Sequence, residues 1–174
     1  MPDDLSSPST PNNTDPHMGL LLSKDGPTPD CSAAGADITN VKGIKLSELG
    51  FDINNGTHCG AGAPRFNVVT SDNVLHFLGC SAGTKTFAPQ DPTAWARVRI
   101  DPSNPAQAFP TPVLPSTTIV SISIIFDEGT DTSPPVPPSG LAVIDNIDIN
   151  KTLVGAGKSD SVKSDGGKPK KEGD

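Results

Sequence analysis

The sequence predicts an all-β protein: an antiparallel β-sandwich of jelly-roll type with disordered N- and C-terminal segments. Apolar residues in the body alternate with a period of two, the signature of strands that bury one face. The apolar runs are short and are separated by proline-rich loops, "DPSNPAQAFPTPVLPST" (101–117) and "TDTSPPVPPSG" (130–140). Proline is tolerated in such loops and excluded from central strands. No segment of ten or more residues shows helical periodicity with good helix formers. Roughly six to eight short strands joined in this way form a sandwich or jelly roll.

Along the chain, "GIKLSELGFDI" (43–53) places Ile44 and Leu46 on one face, then Leu49, Phe51 and Ile53. The phase slips near Glu48, which implies two short strands or a bulge. "RFNVVTSDNVLHFLGC" (65–80) is expected to be a hairpin. A two-residue loop at Asp72–Asn73 sets Val68 against Phe77, Phe66 against Gly79 and Thr70 against Leu75, with both phenylalanines on one face. "WARVRID" (95–101) alternates strictly, Ala96, Val98 and Ile100 on one side and Trp95, Arg97 and Arg99 on the other. In the strand ending at Asp127, Val120, Ile122, Ile124 and Phe126 are in phase. In "GLAVIDNIDIN" (140–150), Leu141, Val143, Ile147 and Ile149 share a phase, with Asp145 on the same face.

Composition divides the chain into a flexible N-terminal segment (1–30), a sandwich domain (31–155) and a flexible Lys/Asp/Gly-rich tail (156–174). The ends hold too little apolar surface to offset their ordering entropy; the short "GLLL" patch (19–22) is counted with the N-terminal segment. The net charge of −7 leaves the body mildly acidic. That argues against a nucleic-acid partner, which requires a basic face. The tail lysines alternate with acids and are read as a solvated linker. No apolar run is long enough for a transmembrane helix, and "GLLL" is too short for a signal peptide.

The chain has three cysteines, Cys31, Cys59 and Cys80. A Cys59–Cys80 disulfide is the first choice, because the glycine-rich turn "CGAGAP" can fold Cys59 back towards the end of the hairpin. It leaves Cys31 unpaired or joined to another molecule; Cys31–Cys59 is the runner-up. A zinc site from His58, Cys59, His76 and Cys80 is the functional alternative, although the usual ligand spacing is missing. The Gly-Ala-Gly of this turn lacks the third glycine and the following helix that a phosphate loop needs. No nucleophile has an orienting base and carboxylate, so the protein is not expected to be an enzyme.

Two candidate sites remain. Asp127, Glu128 and Asp131 lie where a strand runs out into a loop, oxygen ligands of the kind that suit calcium as a cofactor. Acids in such places also cap turns and keep edges soluble. Trp95 with Arg97 and Arg99 forms the candidate ligand face: an indole stacks on a sugar ring and the guanidinium groups donate around it. With one Trp, no Tyr and six Phe, the aromatic surface is small, and Trp95 packing against the loops that carry Phe87 and Phe109 is the competing reading. Glycosylation sequons occur at Asn12, Asn55 and Asn150.

The elements "LGFDI", "THCGAGAPRFNV", "HFLGC" and "GLAVIDNIDINKTLVG" together resemble a type of uncharacterised extracellular bacterial domain, similar to carbohydrate-binding-module and galactose-binding-like jelly rolls. The matching residues are Phe51-Asp52, Cys59 to Phe66 and Asp145 to Ile147, within a span of about residues 40–155. The resemblance implies a jelly roll located outside the cell or on its surface. The expected function is a non-catalytic binding or accessory module for a polysaccharide; the alternative is a structural or adhesive domain that contacts a cell-surface protein.

Overall fold

The computed structural model describes residues 19–24, 33–127 and 140–154. Ten strands form among them: β1 (Leu20–Ser23), β2 (Ala34–Ile38), β3 (Leu49–Asn54), β4 (Arg65–Thr70), β5 (Leu75–Gly79), β6 (Thr84–Phe87), β7 (Trp95–Ile100), β8 (Ile119–Phe126), β9 (Leu141–Ile149) and β10 (Thr152–Val154). One sheet runs β1-β9-β3-β7-β6, with β10 also paired to β9, and the other runs β2-β8-β4-β5. Every pairing is antiparallel. The facing sets β1-β9-β3-β7 and β2-β8-β4-β5 have the strand order of a jelly roll. β6 adds an edge beside β7, and Asn150 and Lys151, both at positive φ, turn β9 into β10. No helix among the described residues is long and apolar enough to cross a membrane.

The core lies between the sheets. Leu49, Phe51 and Ile53 of β3 point inward as the alternation requires, as do Val98 and Ile100 of β7 and Ile122, Ile124 and Phe126 of β8. Phe51 and Phe66 meet across the layers with ring centroids 5.6 Å apart. Full burial of side chains of this size contributes about 1.5–3 kcal/mol each.

Several expectations need correction. The sandwich begins earlier than residue 31: Leu20–Ser23 is a strand on β9, with Leu22 in the core. Its partner lies far along the chain, Leu20 opposite Ile144, so the local sequence carries no sign of it. Residues 43–48 form no strand, although Leu46 is buried and Ile44 packs on the core. In β8, Val120 is exposed and Ile119 is buried instead, because the register against β4 shifts between Val69 and Thr70. In β9 the register shifts opposite Gly50–Asp52, with Asn146 at φ 46°. Ala142 and Ile144 face the core before this irregularity and Ile149 after it, so Leu141 and Val143 lie outside.

The β4–β5 hairpin also differs from the expected register. Val69 pairs with Leu75, and Thr70 N–H donates to the Val74 carbonyl at 3.0 Å. The loop is therefore Ser71-Asp72-Asn73, with Asn73 at φ 63°, a left-handed conformation that Asn tolerates. Compared with a two-residue loop, the register moves by one residue and exchanges faces. Phe66 pairs with Leu78 and enters the core, whereas Phe77 pairs with Asn67 and stands on the outer face.

Candidate functional site

The outer face of the larger sheet carries charges that the strand register brings together. Arg97 lies opposite Asp52, and its Nε and Nη2 donate to the two carboxylate oxygens at 2.9 and 3.0 Å. Asn146 Nδ2 donates to Asp52 Oδ2 at 3.0 Å, and Gln90 Oε1 accepts from Arg97 Nη2 at 3.1 Å. Asp52 is fully buried and Arg97 is 8 % exposed.

One row along, Arg99 lies opposite Gly50, which in turn lies opposite Asp148. The missing side chain at Gly50 is the path by which the arginine reaches across β3. A Cβ at that position would stand 2.5 Å from both Arg99 Nη1 and the Val98 carbonyl oxygen. Arg99 Nη2 comes within 3.5 Å of Asp148 Oδ2, a contact in which neither atom makes a hydrogen bond. Burial raises the Asp148 carboxyl above the usual aspartate range against the pull of Arg99, and burial also weakens the hold of Arg99 on its proton. The arginine still stays charged. Gly50→Ala is expected to destabilise the fold by about 1–3 kcal/mol, as overpacking against backbone does. Urea denaturation measures this, and a change below about 0.5 kcal/mol would contradict the close approach of Arg99 and the Val98 carbonyl over Gly50.

Arg99 also borders a cleft of about 450 Å³, lined further by Ser47, Glu48, Thr84, Asp101, Asn104 and Gln107. Its walls are fixed locally. Asn150 Oδ1 accepts from the Ser47 and Glu48 amides at 2.7 and 3.2 Å. Across the cleft, Asp101 Oδ1 accepts from Ser103 N–H at 2.9 Å, Asn104 Oδ1 from Ala106 N–H at 2.9 Å, and Gln107 Oε1 from Asp101 N–H at 2.7 Å.

Of the three residues expected to bind ligand, Arg99 alone borders this cleft. Arg97 is held by Asp52. Trp95 is 7 % exposed, with the chain at Gly19 against its ring, so the indole packs within the protein. The Cys59–Cys80 disulfide is present, with Cα atoms 5.3 Å apart. It removes both thiolates from the zinc alternative; His58 lies edge-on to Phe126, and His76 is bonded to Thr70 and Thr111. Cys31, Glu128, Asp131 and Asn12 lie outside the described residues. Asp127 is paired with Arg65 at 2.5 and 2.7 Å, which holds its carboxyl below the usual range, so a cation there would have to displace the guanidinium. Among the described residues no group of three or more His, Cys, Asp or Glu is placed to hold a metal. The side-chain amide of Asn150 is taken up at both ends, its nitrogen donating to the Lys45 carbonyl at 2.7 Å.

The sequence reading missed an assembly on the other sheet. Phe109 is 68 % exposed, yet its backbone is fixed to Phe77 by two reciprocal bonds, 2.7 and 3.0 Å. The two rings stack with centroids 6.4 Å apart and planes 25° from parallel. Arg65 places its guanidinium 5.2 Å from the Phe77 centroid. The loop behind Phe109 is held by His76, whose Nδ1–H donates to the Thr111 carbonyl at 2.7 Å, and by Val113 N–H donating to Pro102 O at 2.8 Å. The result is a rigid aromatic ledge at the edge of the smaller sheet. Asn73 was the available signal, since a residue suited to φ > 0 favours the longer loop that turns Phe77 outward.

Comparison with protein-family models, with curated proteins and with solved structures gives no match.

Proposed function

We propose that this domain is a non-catalytic extracellular binding module for carbohydrate, with the Phe77–Phe109 ledge as its contact surface. The observation that carries this reading is an aromatic ring both widely exposed and immobilised by backbone bonds and stacking. Ring faces pack against the apolar faces of sugars, and a side chain already held in place loses little entropy on binding. The Cys59–Cys80 disulfide supports an extracellular setting, because such bonds persist in oxidising compartments.

Affinity electrophoresis through gels containing soluble polysaccharides tests the proposal. The wild-type protein is expected to be retarded by at least one polysaccharide. Phe109→Ala should weaken that retention roughly tenfold or more, as loss of an aromatic hot spot does. Its melting temperature should stay within a few degrees, since the ring is mostly exposed. Undiminished retention of the variant, or no retention of the wild type by any polysaccharide, would contradict the reading. The adhesive alternative draws on β6, an edge strand whose four residues are all exposed and whose Phe87 is 78 % exposed. It gains ground if Phe109→Ala changes nothing while Phe87→Ala reduces self-association in sedimentation.

A further inference from the structure

We infer that the cleft at Arg99 is a second binding site, separate from the ledge, for an uncharged ligand rich in hydroxyl groups, such as a neutral sugar residue. The cleft volume of about 450 Å³ falls in the range of roughly 300–1,000 Å³ typical of small-molecule sites. Its groups carry both signs of charge and remain incompletely paired. The Glu48 carboxylate stands 3.8 Å from Arg99 Nε, beyond hydrogen-bond range. Arg99 Nη2 and, 3.5 Å from it, Asp148 Oδ2 are buried with no hydrogen-bond partner. Asp148 itself is fully buried. Both atoms are closed off from solvent and Asp148 does not line the cleft, so that contact anchors Arg99 in the wall, and the groups open to a ligand are those of Glu48, Thr84 and Gln107. Gln107 uses Oε1 on the Asp101 amide, which leaves Nε2 as the donor, and Thr84 adds a hydroxyl.

The mixture of charges selects the ligand. An anion on Arg99 would face Glu48 and Asp101, and a cation on those carboxylates would face Arg99. A hydroxyl donates to a carboxylate and accepts from a guanidinium or amide with the same oxygen, so a vicinal diol satisfies both kinds of partner without bringing a charge. The loop that builds one wall also carries the ledge. Gln107 and Phe109 are two residues apart, at most about 7 Å along the chain, so the two sites are neighbours on one rigid support.

Isothermal titration calorimetry tests the inference, with maltose, cellobiose and lactose as neutral probes and glucuronate and glucosamine as charged ones. At least one neutral probe is expected to bind the wild type and also Phe109→Ala, which separates the cleft from the ledge. Glu48→Gln and Gln107→Glu keep the side-chain shapes, and Gln107→Glu keeps the acceptor that serves Asp101. Each should weaken that binding about tenfold, Glu48→Gln by removing a charged acceptor and Gln107→Glu by replacing an amide donor with an acceptor. Both charged probes should bind more weakly than the neutral one. Heat that disappears in Phe109→Ala, heat indifferent to both cleft variants, equal binding of a charged probe, or no heat from any neutral probe would each overturn the proposal.

Discussion

Asp52→Ala is expected to destabilise the domain by about 3–5 kcal/mol, because it leaves a buried guanidinium without its carboxylate. Arg97 would keep Gln90 as a hydrogen-bond partner but would lose both bonds to Asp52, in a site where it is only 8 % exposed. For a domain of this size the melting temperature should fall on the order of 15 °C. Arg97→Met should be costly as well, since it strands Asp52 with Asn146 as its remaining side-chain donor. The double variant should cost far less than the sum, because replacing a buried pair by apolar side chains is often close to neutral. A double-mutant cycle in urea is therefore expected to give a coupling of at least about 2 kcal/mol. If Arg97→Met instead left stability unchanged and abolished polysaccharide retention, Arg97 would be a ligand residue and the pair incidental.

Replacing Cys59 and Cys80 together by serine is expected to cost about 3 kcal/mol, the chain-entropy value for a loop of this length. The bond joins residues 21 apart in sequence and ties the β3–β4 crossover to the end of β5. The crossover also packs tightly there: a Cβ on Gly79 would collide with the Ala61 carbonyl oxygen, so only glycine fits beneath it. Equilibrium denaturation checks the magnitude. Alkylation of non-reduced protein followed by intact-mass analysis checks the pairing, with one labelled thiol expected, that of Cys31. Three labels would contradict it.

The strands that bury one face cleanly were legible in the sequence. Leu49-Phe51-Ile53, Val98-Ile100 and Ile122-Ile124-Phe126 all face inward as alternation alone requires. Single-residue irregularities were not legible, because one extra residue reverses every side chain beyond it. Val120 therefore points outward where alternation predicts inward, and Leu141 and Val143 leave the face that Ile149 occupies. The clues were residue types rather than periodicity: Asn73 and Asn146 occupy the positive-φ positions at the hairpin loop and in β9. Alternation also placed Trp95, Arg97 and Arg99 on one face but could not show what lay across the neighbouring strand. Asp52 and Asp148 turn most of that face into internal bonding, and Gly50, a glycine in mid-strand, was the mark of a close approach. Phe109 was invisible as a site, because its exposure depends on a loop bonded to residues more than thirty positions away.

Whether a polysaccharide binds, and at which face, is the central question, and mapping backbone amide shifts across the whole surface answers it most directly. Uniformly ¹⁵N-labelled protein would be titrated with the polysaccharide that retards it most strongly. The expected shifts cluster at Asn67, Phe77 and Phe109, with a second group at Thr84, Arg99 and Gln107, and leave Asn54 and Trp95 in place. Shifts centred on Asn54, Trp95 and Arg97, with Phe77 and Phe109 unmoved, would contradict the account and return the binding face to the indole.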